Sequence, residues 1–552
     1  MYGLGKLSGR RMKMARNGLS RRQLLSMSAK AAAGAGVVGS LAACGGTTSG
    51  RGGSGGGLGV GGMGGAGGTA PFECPPTDHA ELLDLTQFVL ANAFVLTMDA
   101  ERRYFLDGAV AVEDGVITAV GPSSEIVGRA PGQVIDCAGT MLMPGYINTH
   151  FHNWGLLRAL GAGNLPDYNE PDTEGAFSGG GDFDALSSEA LLLLIGLRGI
   201  PTPDETYAAA AVLALDALKQ GETTLMDVGS GDGGPLAQAL VDLGLRGVVT
   251  MLSGDVTVSQ DGSSSPIRDT DSELAAMEDL IRTWNGAHPR IRVATSCLYH
   301  PFASDQLLSG MIDLADRNGI QFNTHVAALA NERPVSLAVH GREPIERMDD
   351  FGALDVGTFM ACHCGFVNDD EITRLAATEM GINHTPATTG LIGQDYMSQA
   401  THPRLWQAGV PVAVGTDGGQ ISTATVHESC KQAANIHMEI GQNDALVPSH
   451  FALEMGTSTA ARVIGWDDIG SLAVGQRADV VAHRIDDERY VGETTPLFTF
   501  LSRGGQRGDV DTVVVDGRII MRESQVLTVN EAEVRQRFAE ALISWGERLP
   551  DL

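Results

Sequence analysis

Pro144-Gly145-Tyr146-Ile147-Asn148-Thr149-His150-Phe151-His152 is the stretch on which the fold turns. Tyr, Ile, Thr and Phe are strand formers, and a Pro-Gly pair opens the run as a boundary. Side chains alternate along a strand, so His150 and His152 share the inward face and Phe151 points towards the helices. Two imidazoles on one face, at a strand's C-terminal end, form a chelate suited to a divalent metal.

Working outward, apolar strand-like runs recur at 142–149, 222–228, 246–253, 290–297, 320–326, 357–363, 381–385 and 410–416. Helical patterns at 203–220, 270–284, 304–318, 368–379 and 398–408 separate most of them. Eight strands alternating with helices predict an α/β fold, a parallel (β/α)8 TIM barrel, with an open doubly wound sheet as the alternative. In a barrel every strand's C-terminal end opens on one face, where such enzymes carry their chemistry. His325 ends the fifth strand, His363 the sixth and Asp417 the eighth. Singly, each has an ordinary reading as a hydrogen-bonded core histidine or a capping aspartate. Five metal-competent groups at the ends of strands one, five, six and eight point instead to one catalytic centre.

Other groups near those ends are weaker signals. His300 and His384 end strands four and seven, and are read as substrate-binding candidates with a structural role as the alternative. Cys362 and Cys364 flank His363, and alternation puts both on the opposite face as packed small residues. The connection 153–202 is long, rich in Gly and acids, and suited to covering the site.

Short strand patterns with Asp114-Gly115 and Asp516-Gly517 turns flank the barrel on both sides. They predict a small discontinuous β-sandwich domain from 81–143 and 465–525, a barrel over 144–464 and a C-terminal helix over 526–552. Ahead of these, 45–80 is a largely Gly-rich linker, and 1–44 reads as an export signal. Ser20-Arg21-Arg22-Gln23-Leu24-Leu25 resembles the twin-arginine motif, and Leu41-Ala42-Ala43-Cys44 resembles a lipoprotein cleavage box with Cys44 as the lipidated residue. Lys30 and several glycines keep the intervening stretch below the roughly 18–20 apolar residues of a membrane span.

The chain has 552 residues, 43% hydrophobic, enough for more than one folded unit. All eight basic residues of segment 1–43 stand without an acid among them, which leaves 30 basic against 67 acidic residues for the rest. So acidic a body disfavours nucleic acid and fits a neutral or cationic small-molecule substrate. Membrane contact is expected only through the lipid at Cys44, and self-association into a homo-oligomer stays open. Of seven cysteines, six remain for the mature body, and spacing alone does not pair them.

With these residues in place, the pattern resembles the amidohydrolase superfamily, most of all its aminohydrolase and chlorohydrolase branch, which handles cytosine, guanine and triazine rings. The opening Gly108-Ala109-Val110-Ala111-Val112-Glu113-Asp114-Gly115-Val116-Ile117-Thr118-Ala119-Val120-Gly121 is similar to that branch's N-terminal β-segment. The closing Ile469-Gly470-Ser471-Leu472-Ala473-Val474-Gly475-Gln476-Arg477-Ala478-Asp479-Val480 is similar to its C-terminal one. The resemblance implies that His150, His152, His325 and Asp417 are metal ligands, with Asp417 also a catalytic proton acceptor. His363 is implied beside the metal, polarising the substrate or the attacking water. Binuclear relatives bridge two metals with a strand-four lysine; here lysines stand only at 6, 13, 30, 219 and 431, which implies one metal, Zn²⁺ first and Fe²⁺ second.

The resemblance further implies metal-assisted hydrolysis of a non-peptide C–N bond in a small cyclic amide or amidine. Deamination or dechlorination of a heteroaromatic ring is the runner-up, and a catalytically silent metal-retaining lipoprotein the rival from another class. One residue departs from the family: related deaminases carry a proton-shuttling glutamate three residues after the strand-five histidine, where this chain has Ala328. That predicts poor activity on guanine- or cytosine-like amines and better activity on lactam- or hydantoin-like rings.

Overall fold

The computed structural model describes residues 72, 79–157, 201–258, 262–355, 359–391, 399–418, 425–492 and 496–548. The leader with Cys44, nearly all of the linker and most of 153–202 lie outside the described residues. Among the described residues, no helix is long and apolar enough to cross a membrane.

Eight parallel strands form the middle of the chain. Strand one is Tyr146–His152, strand two Glu222–Asp227, strand three Arg246–Val249, strand five Phe322–Val326, strand six Phe359–His363 and strand seven Gly381–His384. Strand four is broken into Ile291–Val293 and Thr295–Tyr299, and strand eight into Val412–Val414 and Asp417–Gly418. Each break passes the hydrogen bonds from one side to the other. The first half of strand four pairs with strand three and the second half with strand five. The first half of strand eight pairs with strand seven and the second half with strand one. The ring is therefore closed, which decides for the barrel over the open sheet.

Local chemistry sets the helices between these strands. Pro203–Leu218 starts on a capping box made by Thr202 and Glu205. Asp232, Asp269 and Ser304 cap the helices that follow, and Gly244 and Gly319 end two of them in the left-handed conformation. Ile147, Met226, Val248, Ala294, Met360 and Ala413 form an apolar column with Trp466, as expected for a filled barrel interior. Phe151 packs in the cluster between strands and helices, as alternation predicts.

Both ends of the chain build the second unit. Gln87–Leu96, Tyr104–Glu113, Val116–Pro122, Gln133–Asp136 and Thr140–Pro144 join Val480–Arg484, Val510–Val515, Arg518–Arg522 and Gln525–Val526 in one hydrogen-bonded sheet of nine strands. The seam is the antiparallel pairing of Thr140–Pro144 with Val480–Arg484. One core draws Phe88, Val110, Ile117, Val480, Val514 and Ile519 from both ends of the chain. The two Asp-Gly turns abut, since a Cβ on Gly517 would stand 2.3 Å from Gly115 Cα. The last helix is Glu531–Arg548.

Candidate metal centre

The five groups singled out at the strand ends meet at one face. His150 Nε2 lies 3.1 Å from His152 Nε2 and 3.1 Å from His325 Nε2, and the latter two are 3.3 Å apart. Asp417 Oδ1 stands 3.7 Å from His150 Nε2 and 3.6 Å from His152 Nε2. Ligands about 2.0–2.1 Å from a tetrahedral zinc lie about 3.3–3.4 Å from one another, close to these separations. His363 Nε2 approaches Asp417 Oδ2 at 3.9 Å from the other side.

The hydrogen-bonding chemistry tests whether a cation fits. His150 donates from Nδ1 to Asn383 Oδ1 at 2.7 Å, and His325 donates from Nδ1 to the Leu298 carbonyl. A neutral imidazole has one N–H, so both rings turn bare Nε2 lone pairs towards each other and towards His152. Burial holds the histidines neutral, with pKa values near 4 for His150 and 3 for His325. Burial also raises Asp417, against the opposing pull of His325 and the Gly418 amide. Facing lone pairs and a desolvated carboxylate repel unless a cation lies between them. The residues fit a divalent metal, and Asn383 and Leu298 fix the ligand tautomers as metal-binding histidines require.

Backbone strain recurs at the ends of the strands that carry the site. Ala327, His363 and Asp417 have φ of +50°, +72° and +61°, a left-handed conformation that non-glycine residues adopt at a cost. At His363 this corrects the sequence reading. Met360 and Cys362 both face the barrel interior, while Phe359 and Ala361 face the helices. Simple alternation would turn His363 outwards; its positive φ swings it back to the centre. Cys362 is thus on the inner side rather than opposite the site, beneath His150 and taking an Asn383 N–H at 3.3 Å. Burial keeps its thiol protonated, so it remains a packing residue. Cys364 faces the outer layer, as expected.

His300 and His384 are not brought to the metal group. His300 is buried and its Nε2 meets Glu332 Oε1 at 2.8 Å. His384 follows the inward Asn383 on strand seven, so it faces the helices and meets His437 Nε2 at 3.1 Å. Glu332 is occupied too: its carboxylate also accepts the Tyr299 hydroxyl and the amides of Ala327, Ala328 and Leu329. Burial alone would raise its pKa, but His300 and the other donors hold it lowered. These bonds clamp the loop after strand five. Ala328 sits in an apolar cluster with Leu298, Tyr299 and Phe302, with Trp154 packed against it. Trp154 also stacks on the His152 ring at 3.8 Å and 4°.

Strand parity missed three supporting groups. Asn383 was within reach of it, as the polar residue one place before the strand-seven end. Ser230, whose hydroxyl bridges Asp227 to His152 Nδ1, and Thr385, 3.2 Å from His363 Nδ1, sit on loops where no periodicity applies. Neither lysine of the described residues is near the centre: Lys219 pairs with Glu531 and Lys431 with Glu428.

Residues 141–520 match the amidohydrolase family. The chain is 27% identical over 454 residues to a 5-methylthioadenosine/S-adenosylhomocysteine deaminase of Pelotomaculum thermopropionicum, covering 82% of this chain and 96% of that protein. It is 26% identical over 475 residues to a 5′-deoxyadenosine deaminase of Methanosarcina mazei, covering 83% and 99%. Among solved structures, a zinc-bound adenosine deaminase of Xanthomonas campestris superposes with a TM-score of 0.71 at 22% identity, over 84% of this chain and 98% of that one. A zinc-complexed atrazine chlorohydrolase of Arthrobacter aurescens gives 0.71 at 20%, over 83% and 100%. Family match, closed barrel and metal-competent side chains at the strand ends agree: the chain belongs to the amidohydrolase family and is a hydrolase of carbon–nitrogen bonds other than peptide bonds.

Proposed function

We propose that this centre hydrolyses the exocyclic C–N bond of a cyclic amidine, with adenine nucleosides as the substrate class and one divalent cation, Zn²⁺ before Fe²⁺, as cofactor. The observation that carries it is the meeting of three imidazole nitrogens and the Asp417 carboxylate with His363 alongside. The substrate class is supported by relatives named as deaminases of 5-methylthioadenosine, S-adenosylhomocysteine and 5′-deoxyadenosine. A cation held by these four groups supplies a Lewis acid that makes water a nucleophile at neutral pH. Asp417 takes the proton of the attacking water and passes it to the leaving nitrogen, so that a C–O bond forms, the C–N bond breaks and ammonia departs. His363 hydrogen-bonds the substrate atom on which negative charge develops. The stack of Trp154 on His152 and the apolar wall around Ala328 suit a flat ring. A silent binding protein has no need of both Asp417 and His363.

Zinc-loaded protein should release ammonia from 5′-methylthioadenosine, S-adenosylhomocysteine or 5′-deoxyadenosine, and Asp417→Ala should abolish it. No ammonia from any of the three overturns the reading. Ala328 favours a second one, hydrolysis of a lactam or hydantoin ring whose leaving group needs less protonation. Ring opening of hydantoin without ammonia release from the nucleosides would establish that alternative.

We further propose export by the twin-arginine route and lipid anchoring at Cys44, supported by the order of Arg21-Arg22, a weak apolar stretch and Leu41-Ala42-Ala43-Cys44. Changing Arg21 and Arg22 to lysine should leave the enzyme in the cytoplasm. Normal export of that variant would point to the general secretory route.

A further inference from the structure

A second group of histidines lies just outside the barrel. His384 ends strand seven, His402 stands in the helix Thr401–Gln407 and His437 in the helix Val426–Gly441. All three are buried, and each brings one ring nitrogen within 4.8 Å of the others. Ring spacing separates this group from the metal centre. There, His150, His152 and His325 turn their nitrogens together with ring centroids 4.9–5.2 Å apart. His384 and His402 instead lie face to face at 3.7 Å and 22°, and His437 hydrogen-bonds His384 from behind. The arrangement is a stack.

The stack ends on a catalytic group. His402 donates from Nε2 to the His363 carbonyl at 2.7 Å, and its neighbour Thr401 donates from Oγ1 to the Gly365 carbonyl at 2.7 Å. The first carbonyl belongs to His363, at φ of +72°, and Cys364, at φ of +50°, lies between it and the second. Two successive left-handed non-glycine residues persist only when their surroundings over-determine them. The two bonds come from a helix 36 to 39 residues further along the chain, and both are buried.

We propose that His402 is a positioning residue, which with Thr401 clamps the left-handed turn after strand six and so aims the His363 imidazole at the reacting atom. The His384–His437 pair fixes the plane of the His402 ring. The inference rests on the role given to His363 under the proposed function.

The test uses the zinc-loaded full chain with 5′-methylthioadenosine as probe. His402→Phe keeps the stack and removes the donor; it should lower kcat about 100-fold, the loss that accompanies a misplacement of about 1 Å, with KM and zinc content unchanged. His402→Gln, which retains an N–H at similar reach, should recover most of that loss. Thr401→Val, nearly isosteric, should lower kcat in the same sense by a smaller factor. A kcat for His402→Phe near that of the unmodified enzyme overturns the proposal, as does a loss that only follows zinc content or folded fraction, or no recovery with His402→Gln. His363→Ala separates the two levels: if it turns over normally, the role of His363 itself is wrong. A crystal structure of zinc-loaded His402→Phe judges the clamp without activity, since His363 should leave its positive φ and withdraw from Asp417. Unchanged His363 geometry there sinks the clamp, and if that variant does not fold, Thr401→Val faces the same two measurements.

Discussion

Ala328 isolates what a single side chain contributes to the candidate metal centre. The proposed ligands, the partners that fix their tautomers and His363 are brought together, yet the position three residues past His325 carries a methyl group among apolar neighbours. The nearest carboxylate in sequence, Glu332, is engaged by His300, Tyr299 and three amides, so it does not substitute. On the proposed function, Asp417 then makes both proton transfers. A positioned acid typically contributes 10²–10⁴-fold, about 3–5 kcal/mol of barrier. Ala328→Glu should therefore raise kcat/KM on 5′-methylthioadenosine by about 10-fold or more, less than the full factor because the apolar pocket must also accommodate a charge. A folded, zinc-loaded variant with no gain would show that leaving-group protonation does not limit this enzyme.

At the scale of elements, the broken strands explain why some of the site was legible in the sequence and some was not. Periodicity is local, so it placed His150 and His152 on the inward face, Phe151 outward and His325 at a strand end. Alternation put His363 inward with Cys362 opposite; what it hid is the left-handed turn that leaves both inward, whose carbonyls accept from His402 and Thr401 in a distant helix. Of the two readings left open for His384, the structural one fits its place, since Asn383 takes the inward position. Strand eight breaks at Gly415 for a reason found only in three dimensions. A Cβ there would stand 2.5 Å from His150 Cβ and 2.6 Å from its backbone nitrogen, so at this position the approach to strand one leaves no room for a side chain. Gly415→Ala should push these strands apart, with a stability loss of about 1–3 kcal/mol by denaturant titration and weaker zinc retention. Unaltered stability and zinc content would mean that the closure has slack.

At the scale of the whole molecule, the barrel and the nine-stranded sheet are fastened by a buried charge cluster. Arg246 opens strand three at 1% exposure and donates from Nε and Nη2 to Asp479 at 2.6 and 3.0 Å, and from Nη2 to Asp516 at 2.8 Å. Asp479 leads into Val480–Arg484, and Asp516 forms the turn after Val510–Val515, so one guanidinium holds two parts of the sheet to the barrel floor. The Asp516 amide closes the group by donating to Asp479 at 2.7 Å. Burial would raise the Asp516 pKa, but Arg246 and Arg477 reverse this and hold it below the ordinary value. A lowered folded pKa gives stability that is present above the unfolded carboxylate pKa, near 3.9, and is lost as pH falls through the folded value. Arg246→Met keeps much of the volume but takes the guanidinium from Asp479, while Asp516 keeps Arg477, and breaking a buried pair from one side costs about 3–5 kcal/mol. Unfolding followed in denaturant at pH 7 should show that loss. Between pH 5 and 3 the variant should lose less stability than the unmodified chain, because Asp516, left with Arg477 alone, gains less from staying ionised. A variant as stable as the unmodified protein at pH 7, with the same acid limb, would show that apolar packing alone joins the two units.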